Sequence, residues 1–130
     1  MIDDRRARLQ AALVLAGQDD TQASLAALDA LIQDARSSDE PSWMSLASRN
    51  AAIVAERMGD EGRTIEYLLV AVDARPADPA TRFALGSAYA RAAKHDLATS
   101  SFAECLRLAI ESGDDSVLEL LRRARPDLIP

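Results

Sequence analysis

Histidine and cysteine, two residue types that often act as catalytic bases and nucleophiles, are scarce in this chain. His95 is its one histidine and Cys105 its one cysteine. A histidine that acts as general base needs an orienting partner and a positioned substrate, yet the adjacent Asp96 is explained as the N-cap of a predicted helix. Cys105 follows Phe102 by three residues on an apolar helix stripe, where a thiol behaves as a small hydrophobic group. The sequence therefore predicts a protein that is not an enzyme.

Metal and cofactor binding are not indicated either. One histidine and one cysteine cannot supply the nitrogen and sulfur ligands of a zinc site within one copy of the chain. Acidic pairs occur at 19–20, 60–61 and 114–115, but each precedes a predicted helix, where a carboxylate caps free N–H groups and meets the positive end of the helix dipole. None has the spacing of a calcium loop. We expect no metal and no cofactor.

Arginine supplies the remaining candidate chemistry, because its planar guanidinium can bind a carboxylate through two parallel hydrogen bonds. The one basic cluster is Arg5, Arg6 and Arg8, in a chain whose formal net charge is −6. A nucleic-acid-binding surface needs a wider basic stripe than this. We therefore expect no nucleic acid partner, and the arginines suit acidic groups of another protein better.

The composition predicts that helices position these side chains. Alanine contributes 26 of the 130 residues and leucine 17, whereas valine, isoleucine and threonine together number 15 and the aromatic residues five. Alanine and leucine favour helices, and strands need more β-branched and aromatic residues than this. No apolar run approaches the roughly 20 residues that span a bilayer, and the first six residues lack the apolar stretch of a signal peptide. We expect a cytoplasmic protein without membrane insertion.

Short polar segments rich in glycine, proline, aspartate and serine divide the chain into about seven helices. Asp78 and Pro79, for example, read as an N-cap followed by proline at the first helical position. Apolar stripes of helical period, such as Leu25, Leu28 and Ile32, support the assignment. The predicted helices span residues 4–16, 20–36, 42–58, 62–74, 79–93, 96–111 and 115–124.

Small residues recur at a fixed spacing within successive helix pairs. In each pair, a small residue on the first helix is followed 12 residues later by another on the second helix. The three pairs of positions are Ala12 and Ser24, Ala52 and Thr64, and Gly86 and Ala98. Antiparallel helices approach closely only where both surfaces are shallow, so these positions predict the crossing points of three helix pairs.

Residues 79–110 resemble a tetratricopeptide repeat. The resemblance rests on Leu85-Gly86, on Tyr89 three residues later, on Ala98 at the start of the second helix, and on Phe102. Residues 45–76 and 5–36 resemble two further repeats, and 115–124 resembles the helix that closes such arrays. The resemblance implies one domain over residues 1–130, an all-α solenoid in which antiparallel helix pairs stack into a right-handed superhelix.

Such an array implies a ligand groove lined by the first helix of each pair. The groove residues lie on the face of each first helix opposite its partner, a face that in the second pair also carries Leu46 and Glu56. The predicted groove residues are Arg6, Leu9, Leu13, Arg49, Asn50, Ile53, Arg57, Phe83, Ser87 and Arg91. Ile53 and Phe83 are the predicted apolar anchors. The alternative is that Leu9, Leu13 and Ile53 are core between repeats and that the arginines are merely solvated.

The resemblance implies a protein-interaction scaffold that binds a peptide or an amphipathic helix of another protein, with acidic groups suited to the arginines. An alternative function is that of a small acidic chaperone, similar to those of bacterial secretion or assembly systems, which holds an apolar segment of its substrate. Self-association into a homo-oligomer also stays open. The sequence predicts a class of partner and does not identify one.

Overall fold

The structure, a computed structural model, describes residues 4–129. Over this range it contains seven α-helices and no strand. The helices are α1 (Asp4–Gly17), α2 (Thr21–Ser37), α3 (Pro41–Arg57), α4 (Glu61–Ala74), α5 (Pro79–Arg91), α6 (His95–Ser112) and α7 (Asp115–Ala124). Helices that follow one another within a unit pack against each other. The all-α prediction is confirmed, and each predicted helix end lies within two residues of the observed one. The right-handed superhelix stays a prediction.

The chain forms two compact units. Unit 1 is Met1–Arg75 and contains α1 to α4, whereas unit 2 is Pro76–Pro130 and contains α5 to α7. In unit 1, Leu25, Leu28 and Leu31 of α2 are almost fully buried. In unit 2, Phe102 of α6 and Leu121 of α7 are buried. Each unit therefore has its own apolar core.

Carboxylates cap four of the helices through side-chain hydrogen bonds to backbone N–H groups. The capping residues are Asp20 for α2, Asp60 for α4, Asp78 for α5 and Asp114 for α7. This confirms the capping role predicted for the acidic pairs. The prediction for α6 is wrong, because Lys94 is its N-cap and Asp96 lies within its first turn. The Asp96 carboxylate is still close to the positive end of that helix.

Five turns between helices share one backbone conformation. Each has a residue with φ between 52° and 76°, and these residues are Asp19, Asp39, Gly59, Ala93 and Gly113. In each turn the N–H of the next residue bonds to the carbonyl five positions before it, as Asp60 N does to Ala55 O at 3.0 Å. This is the hydrogen bond of a Schellman motif, which satisfies the free carbonyl groups at a helix end.

Ala93 is the residue least suited to this conformation, because its Cβ crowds the backbone at positive φ. We expect Ala93→Gly to stabilise the protein by up to about 1 kcal/mol, measured as the free energy of unfolding in urea. Ala92→Gly is the matched control, because Ala92 has φ −83° and glycine there brings no relief. Equal effects of the two substitutions would show that Ala93 carries no strain.

The small residues predicted at the helix crossings are buried. In the first pair, Ser24 Oγ donates a hydrogen bond to Ala12 O at 2.8 Å, which joins α1 directly to α2. In unit 2, a Cβ placed on Gly86 of α5 would come within 2.9 Å of the Phe102 ring of α6. The close approach predicted within these two helix pairs is therefore confirmed, although in the second case Phe102 rather than Ala98 meets the glycine.

A hydrogen bond and an ion pair join α2 to α4 in unit 1. Tyr67 Oη donates to Asp29 Oδ1 at 2.6 Å, and Arg63 Nη2 lies 3.9 Å from Asp29 Oδ2. Burial, and then the hydrogen bond to Asp29, raise the pKa of the Tyr67 phenol to about 12. The folded state therefore favours the neutral phenol.

The raised pKa of Tyr67 predicts a loss of stability in alkaline solution. A folded-state pKa of about 12 lies above the value near 10 of an unfolded tyrosine, so this contribution is complete below pH 10 and is lost as the pH rises through 12. We expect Tyr67→Phe to be less stable than the parent by about 1 kcal/mol at pH 8, with the difference shrinking above pH 10. Urea unfolding across this range measures it, and a constant difference would contradict the prediction.

Candidate protein-binding face

Helices α1 and α3 of unit 1 lie side by side and run in the same direction. At their N-terminal ends, Arg5 Nε donates to Oε1 of Glu40, the N-cap of α3, at 2.8 Å. At their C-terminal ends, Arg57 Nη2 lies 3.5 Å from Ala16 O and 3.9 Å from Asp19 Oδ1. The contacts at the two ends show that the helices run in the same direction. Residues of α1 and α3 also contact each other directly.

Large apolar side chains are exposed on these two helices. Leu13 of α1 is 39% exposed, and Leu46 and Ile53 of α3 are 38% and 56% exposed. We call the exposed side of α1 and α3 the α1/α3 face. The predicted groove residues in unit 1 belong to these two helices, and they are Arg6, Leu9, Leu13, Arg49, Asn50, Ile53 and Arg57. For Leu13 and Ile53, the alternative of a buried core position is wrong.

The remaining members of this set differ in accessibility. Arg6 and Arg49 are exposed, whereas Leu9 and Asn50 are half-buried. Asn50 Nδ2 donates to Leu46 O at 2.8 Å, so part of its amide group is bonded to its own helix. Val14 of α1 was not predicted, yet it is 57% exposed. The only sign of this exposure in the sequence is that Val14 is apolar and lies outside the buried stripe of α1.

The predicted groove residues of unit 2 lie on α5. Arg91 is exposed and Ser87 is half-buried. The ring of Phe83 contacts Phe102 of α6 edge to face, with ring centroids 5.5 Å apart and an interplanar angle of 61°. The expectation that Phe83 points away from its partner helix is therefore wrong, because this geometry is a favourable aromatic contact within the pair. That these residues extend the α1/α3 face stays a prediction.

Contacts within unit 1 account for most of the basic cluster near the N-terminus. Arg5 bonds to Glu40 and to Ser38 Oγ, and Arg8 bonds to Asp34 of α2. Arg6 is the exposed member of the cluster. The Arg8–Asp34 pair is exposed and so stabilises the protein little, whereas the Arg5–Glu40 pair is partly buried. Both connect α1 to the elements that follow it.

Cys105 lies in a setting that suppresses thiol chemistry. It is fully buried, and its Sγ donates to Pro79 O at 3.1 Å. Burial, followed by the negative charges of Asp114 and Asp78, raises the pKa of the thiol to about 11. Because the thiolate is the nucleophile, both the burial and the raised pKa oppose reaction of this thiol at neutral pH. His95, the other candidate, is exposed at the first position of α6.

Two further features of the described residues bear on function. Between residues 4 and 129 there is no group of three or more histidine, cysteine, aspartate or glutamate side chains that could hold a metal ion. Over the same range, no helix combines the length and apolar character needed to cross a membrane.

The chain was compared with known protein families and with curated proteins. No family model matches it, and no curated protein matches it. The resemblance to tetratricopeptide repeats therefore depends on the residues and spacings given above, and the family stays a prediction.

Proposed function

We propose that this chain is a non-enzymatic interaction protein of tetratricopeptide type, with a cytoplasmic location, that binds one segment of a partner protein on the α1/α3 face. The observation that carries the proposal is the exposure of Leu13, Leu46 and Ile53 on two adjacent helices of unit 1. Leu46 and Ile53 are seven residues apart, which places them on one side of α3. Exposed apolar side chains grouped in this way favour protein binding.

The arginines favour a partner segment with acidic groups. Arg6 and Arg49 are exposed on the two helices that carry the apolar side chains. Arg57 lies 3.9 Å from Asp19, and both side chains are largely exposed. Such a pair contributes little stability, so Arg57 can exchange Asp19 for a carboxylate of a partner at small cost. An amphipathic helix with one apolar side and acidic flanks fits this combination of groups.

A displayed library of helical peptides tests the proposal without knowledge of the natural partner. Peptides are selected on the full chain, and the affinity of synthetic copies is measured by fluorescence anisotropy. We expect the selected peptides to carry apolar residues at helical spacing and acidic residues beside them. Ile53→Asp is expected to weaken their binding by at least tenfold, because the few residues that each contribute about 2 kcal/mol or more lie near the centre of an interface.

Ile110→Asp is the matched control, because Ile110 is an equally apolar and exposed side chain, 62% accessible, on α6 of unit 2. It should leave the affinity unchanged, and circular dichroism should show that both variants are folded. Arg49→Glu is expected to weaken acidic peptides more than neutral ones. Selected peptides that bind parent and Ile53→Asp equally would remove the α1/α3 face from the proposed function.

A further inference from the structure

The junction between α4 and α5 differs from the other turns of the chain. The five left-handed turns each close with a hydrogen bond from the residue that follows to a carbonyl five positions back. At the end of α4, Arg75 is instead extended, with φ −139° and ψ 79°, and its N–H bonds to Ala71 O. Pro76, which follows, has no N–H to donate. This junction therefore lacks the hydrogen-bonded closure that the other turns have.

Each unit is held together by its own long-range contacts. In unit 1, the bonds of Arg8 to Asp34 and of Tyr67 to Asp29 connect α2 to α1 and to α4. In unit 2, Phe102 of α6 contacts Phe83 of α5, and the guanidinium carbon of Arg125 lies 5.6 Å from the centre of the same ring. Phe102 therefore joins α5 to the segment that follows α7.

The two cores differ in the side chains that they exclude from water. Among the largest side chains with less than 2% exposure, those of unit 1 are Leu25, Leu28, Leu31, Val54, Thr64, Ser24 and Ser48, and those of unit 2 are Leu121, Thr81 and Cys105. A smaller unit also buries a smaller fraction of its surface on folding. From both differences we expect unit 2 to be the less stable of the two.

We propose that units 1 and 2 unfold as separate cooperative segments and that unit 2 opens first, while unit 1 stays folded with its α1/α3 face intact. Cooperative segments of this kind exchange their backbone hydrogens with separate opening free energies. The proposal concerns stability and is independent of what the α1/α3 face binds.

Hydrogen exchange of the full chain in increasing guanidinium, read by mass spectrometry, tests the proposal. The slowest amides of unit 2 are expected to exchange faster than those of unit 1, and the two sets are expected to respond to denaturant separately. A single opening free energy shared by the slowest amides of both units would overturn the proposal. So would opening of unit 1 before unit 2.

Gly86→Ala provides a second measurement, because a methyl group there meets Phe102 within unit 2. We expect it to accelerate hydrogen exchange in unit 2 by roughly tenfold, which corresponds to the energetic cost of overpacking by one methyl group. Exchange in unit 1 should stay unchanged. Leu28→Ala, in the core of unit 1, should accelerate exchange in unit 1. Equal acceleration of both units by Gly86→Ala, or loss of protection throughout the chain, would show that they unfold together.

Discussion

Replacing Gly86 with leucine is expected to destabilise the protein by about 3 kcal/mol, and replacing it with alanine by about 1 kcal/mol. The Cβ of any side chain at this position would lie 2.9 Å from Cδ1 and Cε1 of the Phe102 ring and 3.0 Å from Cζ. The ring cannot move away freely, because it is in edge-to-face contact with Phe83 and the Arg125 guanidinium lies over it. The resulting strain exceeds the gain in helix propensity that alanine brings, which is about 1 kcal/mol.

Gly62→Ala is the control for this effect. A Cβ at Gly62 would lie 3.7 Å from Asp60 Oδ1, an ordinary contact, and the residue is exposed in the first turn of α4. Alanine there is expected to stabilise the protein by about 0.5–1 kcal/mol, since it favours the helix and restricts the unfolded chain. Urea unfolding, with the transition of each unit followed separately, compares the variants with the parent. If Gly86→Ala were as stable as Gly62→Ala, Gly86 would not be the point of close approach between α5 and α6.

Phe102→Ala is expected to cost about 3–5 kcal/mol, the largest effect of any substitution considered for unit 2. The ring is 3% exposed, so its removal leaves a cavity beside Gly86. It also removes the aromatic contact with Phe83 and the cation–π contact with Arg125, which add to the loss of buried apolar area. Thermal and urea unfolding measure the effect, and Phe102→Leu should cost less because leucine fills part of the cavity.

The two positions should be energetically coupled, because they touch. In a double-mutant cycle, Gly86→Ala is expected to be less harmful in the Phe102→Leu background than in the parent, since leucine lacks the rigid ring that the new methyl group meets. A coupling energy of about 1 kcal/mol is expected. Strictly additive effects would contradict direct contact and would locate the strain of Gly86→Ala in another part of α5.

Local chemistry explains why the helices were predictable. Pro79 begins α5, and the Asp78 side chain caps that helix. Gly113 ends α6 in a left-handed conformation, which the absence of a Cβ favours. The end of α5 was placed two residues too late, at 93 instead of Arg91. Alanine is a strong helix former, so nothing about Ala93 as a residue type indicates the positive φ that it adopts.

The candidate site was predictable on α3 and less so on α5. The exposed side of α3 carries Arg49, Ile53 and Arg57, as the helical period required once Ala52 was assigned to the crossing. The same reasoning failed for Phe83. A long aromatic side chain on a helix points back over the preceding turn, so the position of its Cα alone does not show which residues it contacts. The Phe83 ring contacts Phe102.

The all-α fold class, the positions of the helices and the scarcity of histidine and cysteine follow from the sequence, because composition, capping and helical period act over a few residues. The side-by-side arrangement of α1 and α3 does not follow from such local patterns, and only the resemblance to a repeat array implied it. It depends on contacts such as Arg5 with Glu40 and Arg57 with Ala16, which join residues 35 and 41 positions apart. Only the folded chain brings such residues together, and it thereby decides that Leu13 and Ile53 are exposed on neighbouring helices.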